Sequence, residues 1–242
     1  MDRIDLTNRS AIVTGAGRGI GRAIAIMLAE HGAHVIVAAR TKSEIDETAA
    51  MIAHYGGSAF PVVLNLADVK SIQSLFSLTI KTAKGLDILV NNAGIGKYGA
   101  IADFSGENLQ DVIDVNVRGT YLCCQEAMKL MIPKKSGYII NIASVVGFKG
   151  YPNQSAYTAS KHAIVGLTKS LAAEAQAHQI RASVINPGGT DTDLIAAARP
   201  DLDPSILMQP EDVAQTVLFL LSLSERCAID EIYIRRRSSQ PF

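Results

Sequence analysis

Neither sign of charge dominates this chain: 23 Lys and Arg stand against 23 Asp and Glu, a formal net charge of zero. The basic surface that nucleic acid or an anionic membrane attracts is missing, which points to a small-molecule partner. Cysteine is scarce, and Cys123, Cys124 and Cys227 form neither an even-numbered disulfide framework nor a metal-ligand spacing. As sequence neighbours, Cys123 and Cys124 are expected on different sides of a helix. No apolar run approaches a membrane span, and the opening MDRIDLTNRS lacks the apolar stretch of a secretory signal. A soluble protein in the reducing cytoplasm is the expectation. A linker is missing too. Strand and helix patterns alternate without a break over a length that suits one α/β domain, residues 1–242.

Apolar residues are plentiful at 48%, enough for a sizeable core, and the chain is organised around one stretch of them. Ala11 to Val13 read as a short buried parallel strand, and Ile20, Ala23, Ile24, Met27 and Leu28 recur at helical spacing. Between the two lie Gly15, Gly17, Gly19 and Gly21. Glycine allows positive φ and close ligand approach, and a helix start offers unpaired N–H groups and a positive dipole end. Such a turn suits a pyrophosphate. The strict G-x-G-x-x-G string is absent, however, and Thr14-Gly15-x-x-x-Gly19-x-Gly21 taken alone also fits an ordinary glycine-rich turn.

His34 to Ala39 is expected as the second strand, running into Arg40. In dinucleotide folds an acid about 20 residues past the glycines accepts the adenosine ribose, whereas an arginine there suits a 2′-phosphate. No acid occurs between His31 and Glu44, and Arg18 in the glycine turn is a second cation within reach of the same phosphate. NADP(H) is therefore expected over NAD(H), the alternative being that both arginines are solvated surface charges.

Helices are expected over 42–55, from an Asp68 cap to about Thr82, over 108–131, 155–176 and 210–221. Further strands are expected over 59–64, 86–90, 138–143, 180–185 and 229–234, with Asn186-Pro187-Gly188 stopping the sixth. The polar or small residues Gly15, Arg40, Asn65, Asn91 and Ser144 then fall at the same edge of an open parallel sheet, where such folds bind ligands. In the 108–131 helix the apolar stripe is read as Leu109, Val112, Ile113, Val117, Thr120, Tyr121, Cys124 and Met128. Asn116 lies on that stripe, and a buried amide there needs partners. In the 155–176 helix Ala159, Ala163, Ile164, Leu167 and Leu171 are expected against the sheet.

Tyr157 and Lys161 are four residues apart on that helix, hence neighbours on one face. A phenol with a pKa of about 10 is a poor acid or base near neutrality unless a cation favours its phenolate. A surface Tyr/Lys pair accounts for the spacing equally well. The segment 189–209 is long for a loop in a compact domain and reads as an active-site lid, or a small capping helix. Its apolar residues suit a substrate with some hydrocarbon character. The tail carries Arg235-Arg236-Arg237, read as a solvated end or as a contact for an anionic substrate or a neighbouring subunit.

Taken together, TGAGRGIG at 14–21, NNAG at 91–94, Asn116, Ser144, YTASK at 157–161 and NPG at 186–188 resemble the short-chain dehydrogenase/reductase family, in order and at its separations. The resemblance runs from Thr14 to about Thr192. It implies a doubly wound Rossmann fold, a mostly parallel seven-stranded sheet with helices on both faces. It implies Asn116, Ser144, Tyr157 and Lys161 as a catalytic tetrad. Tyr157 is then the proton donor or acceptor, Ser144 holds the carbonyl, and Lys161 binds the nicotinamide ribose and lowers the Tyr157 pKa. Asn116 is implied at a helix irregularity that helps hold a water beside the lysine.

For the cofactor the resemblance implies Gly15, Arg18, Gly19, Ile20, Gly21, Arg40, Asn65, Leu66, Asn92, Ala93, Gly94, Pro187, Gly188, Thr190 and Thr192, besides Tyr157 and Lys161. Asn91 and Gly94 are implied beside the riboses. The chain is similar to the 3-oxoacyl-[acyl-carrier-protein] reductases, so reversible NADPH-dependent reduction of a carbonyl, with an oxoacyl thioester as leading substrate, is the expected activity. Lys134 and Lys135 are candidate contacts for an acidic carrier, although His178 stands where carrier-dependent members often have arginine. An NAD-dependent alcohol, sugar or steroid dehydrogenase is the alternative, and a non-catalytic dinucleotide-binding regulator a rival of another class. A homo-oligomer is expected, but the ending IDEIYIRRRSSQPF departs from the family's Val-Asp-Gly-Gly and leaves dimer and tetramer both open.

Overall fold

The structure, a computed structural model, describes residues 4–83 and 85–241; the first three residues of the expected domain and the terminal Phe242 lie outside it. Seven strands form one sheet: β1 (Ser10–Thr14), β2 (His34–Ala39), β3 (Ser58–Val63), β4 (Ile88–Asn91), β5 (Gly137–Ile142), β6 (Ile180–Pro187) and β7 (Glu231–Ile234). Their order is β3-β2-β1-β4-β5-β6-β7, and every adjacent pair is parallel. The order reverses between β1 and β4, which opens a crevice at their carboxyl ends.

Alternation along the central strands divides the core in two. Val13, Val35, Val37, Val90 and Ile140 face α1 (Gly19–Glu30), α2 (Lys42–His54) and α8 (Pro210–Ser222). Ile12, Ile36, Leu89 and Ile139 face α3 (Val69–Ala83), α5 (Thr120–Met131) and α6 (Ser155–Gln176). Burial on both sides explains why these strands read as continuous apolar runs. It also explains how α1 forms despite two glycines: each costs about 1 kcal/mol of helix stability, whereas burying Ile24 or Leu28 contributes about 2 kcal/mol.

The structure revises the sequence reading in four places. The expected 108–131 helix is three pieces, α4 (Gly106–Val112), a π-turn (Ile113–Gly119) and α5. The wide turn shifts the phase of one half against the other, so Val112, Asn116, Thr120, Cys123, Cys124 and Ala127 are buried while Leu109 and Tyr121 are exposed. Both neighbouring thiols therefore lie in the core, and burial pushes Cys124 up to about 12.

In α6 Ala159 faces solvent, and the buried side includes Ser160, Lys161, Ile164, Thr168 and Leu171. Polar residues on that side hid it from a hydrophobic count. β6 continues through Pro187 because β7 pairs with it there, so the Asn-Pro pair does not stop the strand. Lys134 sits at the opposite end of the sheet from the crevice, its ammonium bonded to the Leu86 carbonyl (3.0 Å) and the Asp87 carboxylate (2.7 Å). Of the two candidate carrier contacts, Lys134 is thus engaged within the fold, while Lys135 beside it is exposed.

Residues 189–209 form a closed loop carrying α7 (Asp193–Ala198) and a 3₁₀ turn at Pro204–Ile206. Its ends are joined by Asp191 N–H to the Met208 carbonyl (2.8 Å) and Met208 N–H to the Gly189 carbonyl (3.1 Å). Among the described residues no helix is long and apolar enough to cross a membrane.

Candidate active site

A cleft of about 900 Å³ opens along the carboxyl edge of the sheet, within the size range of small-molecule sites. Its floor at one end is the glycine turn. Gly15 and Gly19 have φ of +67° and +52°, and a Cβ on Gly15 would lie 2.8 Å from the Ala93 Cα. The start of α1 has no side-chain cap and no acid in its first turn, so its N–H groups face the cleft without an internal acceptor. Thr14 Oγ1 accepts the N–H groups of Asn92 and Ala93 at 3.1 Å each, and the Asn92 amide donates to the Thr14 carbonyl at 3.0 Å. These bonds lock the NNAG segment against the glycine turn. The fit to a pyrophosphate rests on this uncapped, glycine-floored helix start.

Of the expected cofactor residues, Gly15, Arg18, Gly19, Ile20, Arg40, Asn65, Leu66, Asn92, Ala93, Gly94, Tyr157, Lys161, Pro187, Gly188, Thr190 and Thr192 all line the cleft. Gly21 does not. A Cβ on Gly21 would fall 2.2 Å from the Gly15 carbonyl oxygen, so its part is to let α1 pack against the turn. Asn91 also points away; its amide donates to Asn141 Oδ1 at 2.9 Å and to the Cys124 sulfur at 3.3 Å, bracing β4 against β5 and α5.

Arg18 is engaged differently from the sequence expectation. Its guanidinium lies 2.7 Å from Asp193 and 3.9 Å from Glu44, bridging the glycine turn to α7. Glu44, in the first turn of α2 and in the sequence read only as the end of an acid-free stretch, also lines the cleft beside Gly17. Arg40 has no carboxylate within ion-pair distance among the described residues.

At the other end Ser144, Tyr157 and Lys161 converge. The strand end of β5 delivers Ser144, and the first turns of α6 deliver the other two. Ser144 and Tyr157 both line the cleft, near enough for the serine to act on the ionisation of the phenol. The Lys161 ammonium donates to the Ile142 carbonyl at 2.9 Å and lies 5.7 Å from the centre of the Tyr157 ring. Lys161 is 5% exposed and Tyr157 7%, which sets their titration. Burial pulls Lys161 down to about 8 and pushes the Tyr157 phenol above its ordinary range. Tyr98 adds to the Tyr157 shift and Ser144 opposes it. Desolvation of the phenol sets the direction of the Tyr157 shift, opposite to the lowering expected from Lys161.

Asn116 lies behind the cleft wall in the π-turn. Its amide accepts from Ile95 N–H (2.8 Å) and donates to the Ile95 carbonyl (2.9 Å) and to Ser160 Oγ (3.0 Å). Both the irregularity and the fully partnered amide anticipated for it are present. A Cβ on Gly94 would sit 3.3 Å from Asn116 Oδ1 and 3.6 Å from Lys161 Nζ, so Gly94 admits both side chains beneath the NNAG segment.

Across the family of proteins matching this chain, the profile described as short chain dehydrogenase covers residues 9–203. The chain belongs to this family. A short-chain dehydrogenase of Mycobacterium marinum, solved by crystallography, superposes with a TM-score of 0.92 at 34% identity, covering 99% of each chain. The crystal structure of a metagenomic short-chain oxidoreductase in complex with NADP gives 0.86 at 31% identity, covering 97% of this chain and 99% of that one. The 3-oxoacyl-[acyl-carrier-protein] reductase of Staphylococcus aureus is 37% identical over 223 residues, 88% of this chain and 91% of the relative.

Three features of this short-chain dehydrogenase had no strong sequence signal. Tyr98 lines the cleft with its ring 6.0 Å from that of Tyr157, and its buried hydroxyl meets no hydrogen-bond partner among the described residues. Gln154, buried just before α6, and Tyr151 line the same end. The tail residues Arg235, Arg236 and Ser238 to Gln240 complete the wall. The unusual composition of that tail was the available clue.

Proposed function

We propose that this short-chain dehydrogenase catalyses reversible reduction of a carbonyl to a secondary alcohol with NADPH. The observation that carries this is the convergence of Ser144, Tyr157 and Lys161 in one cleft with the glycine turn. A non-catalytic dinucleotide-binding regulator has no use for that convergence. Gly15, Gly19, Asn92, Gly94, Pro187, Gly188 and Thr192 would hold the dinucleotide, which when bound supplies hydride to the carbonyl carbon.

The chain's own residues handle the oxygen. Tyr157 donates its proton to the developing alkoxide, and the Ser144 hydroxyl bonds the same oxygen. Lys161, held against Ile142, places a positive charge beside the phenol and stabilises the phenolate left after transfer. Asn116 fixes the Ile95 backbone and Ser160, and through them the wall against which Lys161 rests. Residues 189–209 act as the lid, and the Arg18–Asp193 pair ties that lid to the glycine turn.

Arg40 supports NADP(H), as an exposed guanidinium at the end of β2 suited to a 2′-phosphate. Glu44 favours the second reading, NAD-dependent oxidation of an alcohol, because a carboxylate at that corner can accept ribose hydroxyls. A 3-oxoacyl thioester is the leading substrate class, supported by the Staphylococcus aureus relative. A homo-oligomer in the cytoplasm completes the proposal, with Cys123 and Cys124 as adjacent free thiols.

NADPH and NADH consumption over a panel of ketones, oxoacyl thioesters and sugars, repeated with Tyr157→Phe, is the test. General acid catalysis contributes about 10²–10⁴-fold, so the variant should lose at least about 100-fold in kcat while binding NADPH normally. Wild-type turnover by Tyr157→Phe would sink the proton-donor role.

A further inference from the structure

The carboxyl-terminal arginines are part of the cleft. β7 ends at Ile234, whose carbonyl accepts the Gly188 N–H at 2.8 Å, and a Cβ on Gly188 would lie 3.4 Å from the Arg235 Cα. Tyr233 packs edge-on against Phe148, ring centres 4.5 Å apart, fixing the strand to the loop between β5 and α6. The tail must therefore cross the mouth of the cleft beside Tyr151 and Lys149, which line it too.

The three arginines are not equivalent. Arg235 is spent on the tail itself, donating to the Ser239 carbonyl at 2.7 Å. Arg237 is exposed and does not line the cleft. Arg236 packs against the Gly189 backbone, Nη1 3.7 Å from where a Gly189 Cβ would be, and that nitrogen is buried without an acceptor among the described residues. A buried guanidinium N–H without an acceptor is costly, and arginine's planar fork is built for carboxylate and phosphate. Arg199, another cation lining the cleft, is held bidentately by Asp201 at 2.8 and 2.6 Å. Asp201 feels the Arg236 charge but is not within ion-pair distance of it. Asp193, the other acid at the lid helix, is occupied by Arg18.

We propose that the mouth of the cleft beyond Tyr157 binds a carboxylate or phosphate carried by the substrate, with Arg236 as its main ligand, so that the carbonyl compound is an anion. This rests on the oxidoreductase reading above and narrows its substrate class. The cofactor's phosphates are the other source of the same chemistry, and the arms of the test separate the two.

Enzyme saturated with NADP⁺, which cannot reduce a ketone, is titrated calorimetrically with acetoacetate, 4-oxopentanoate and 6-oxoheptanoate and with their methyl esters. Wild type should bind the best keto acid at least tenfold more tightly than its ester. Arg236→Gln should erase that preference, Arg236→Lys should restore part of it, and NADP⁺ affinity should stay within twofold in both. The proposal is overturned if wild type binds every ester as tightly as its acid. It is equally overturned if Arg236→Gln weakens acid and ester alike, or if the loss falls on NADP⁺. Absence of NADPH-dependent turnover with any carbonyl would instead remove the oxidoreductase reading, while the titration still decides the anion site.

Discussion

The ring of Tyr98 stands edge-on to that of Tyr157, centroids 6.0 Å apart and planes at 76°. Two phenols thus face one cleft, and burial pushes Tyr98 up to about 12, so it stays a neutral donor at working pH. Its hydroxyl has no acceptor among the described residues. Removing it leaves no partner stranded. Tyr98→Phe should therefore keep or slightly raise Tm, and lower kcat/KM by about tenfold if a substrate oxygen uses that donor, the worth of a hydrogen bond of about 1–1.5 kcal/mol. Unchanged kcat/KM for every substrate turned over would limit Tyr98 to packing.

Cofactor choice depends on the corner shared by Arg40 and Glu44. Arg40→Ala should weaken NADPH binding by about tenfold or more, given charge-assisted bonds of about 1.5–3 kcal/mol, and leave NADH binding nearly unchanged. Glu44→Gln should shift preference further toward NADPH. Fluorescence titration of both cofactors decides it, and equal loss for the two would remove Arg40 from phosphate recognition.

Lys161 makes stability depend on pH in a definite direction. Its folded pKa of about 8 lies below the ordinary 10.5, so between those values the unfolded chain binds more protons than the folded one. Stability then rises with pH across that window, and below about 8 the full penalty of the buried ammonium is present. Urea unfolding of wild type and Lys161→Met at pH 7 and pH 10 should show wild type gaining on the variant by about 3 kcal/mol. A constant difference would mean the lysine is not desolvated as the structure places it.

Two glycines separate close packing from mere flexibility. Gly21→Ala would set a methyl 2.2 Å from the Gly15 carbonyl oxygen, and should cost about 2 kcal/mol or more and abolish tight cofactor binding. Gly166, exposed in α6 with nothing within 4 Å of an added Cβ, should tolerate alanine and gain about 0.5–1 kcal/mol. Thermal melts of the two variants should move in opposite directions.

Much of the site was legible because its residues fall at strand ends or at fixed helical spacing. A glycine turn and Ser144 at the same strand-end edge pointed toward the cleft, and the i, i+4 spacing put Tyr157 and Lys161 on one helix face, but only the family motifs read together chose this over a surface pair. The π-turn was not legible from period alone, because one wider turn leaves local composition unchanged while rotating Leu109 and Tyr121 out of the core. Nor was the inward face of Asn91, since a strand residue can point to either side and only the bond to Asn141 settles which.

The sequence by itself determined the alternation of strands and helices and the edge on which the chemistry gathers, because periodicity and glycine placement are local properties, while the two-faced parallel sheet followed from the family resemblance. Only the tertiary structure decided that Arg18 is claimed by Asp193, that Glu44 shares the cofactor corner and that burial governs Tyr157 and Lys161. It alone brought Tyr98 and Arg236 into the cleft. Those outcomes depend on which distant side chains meet and how much water they keep, and neither is written in the spacing of residues along the chain.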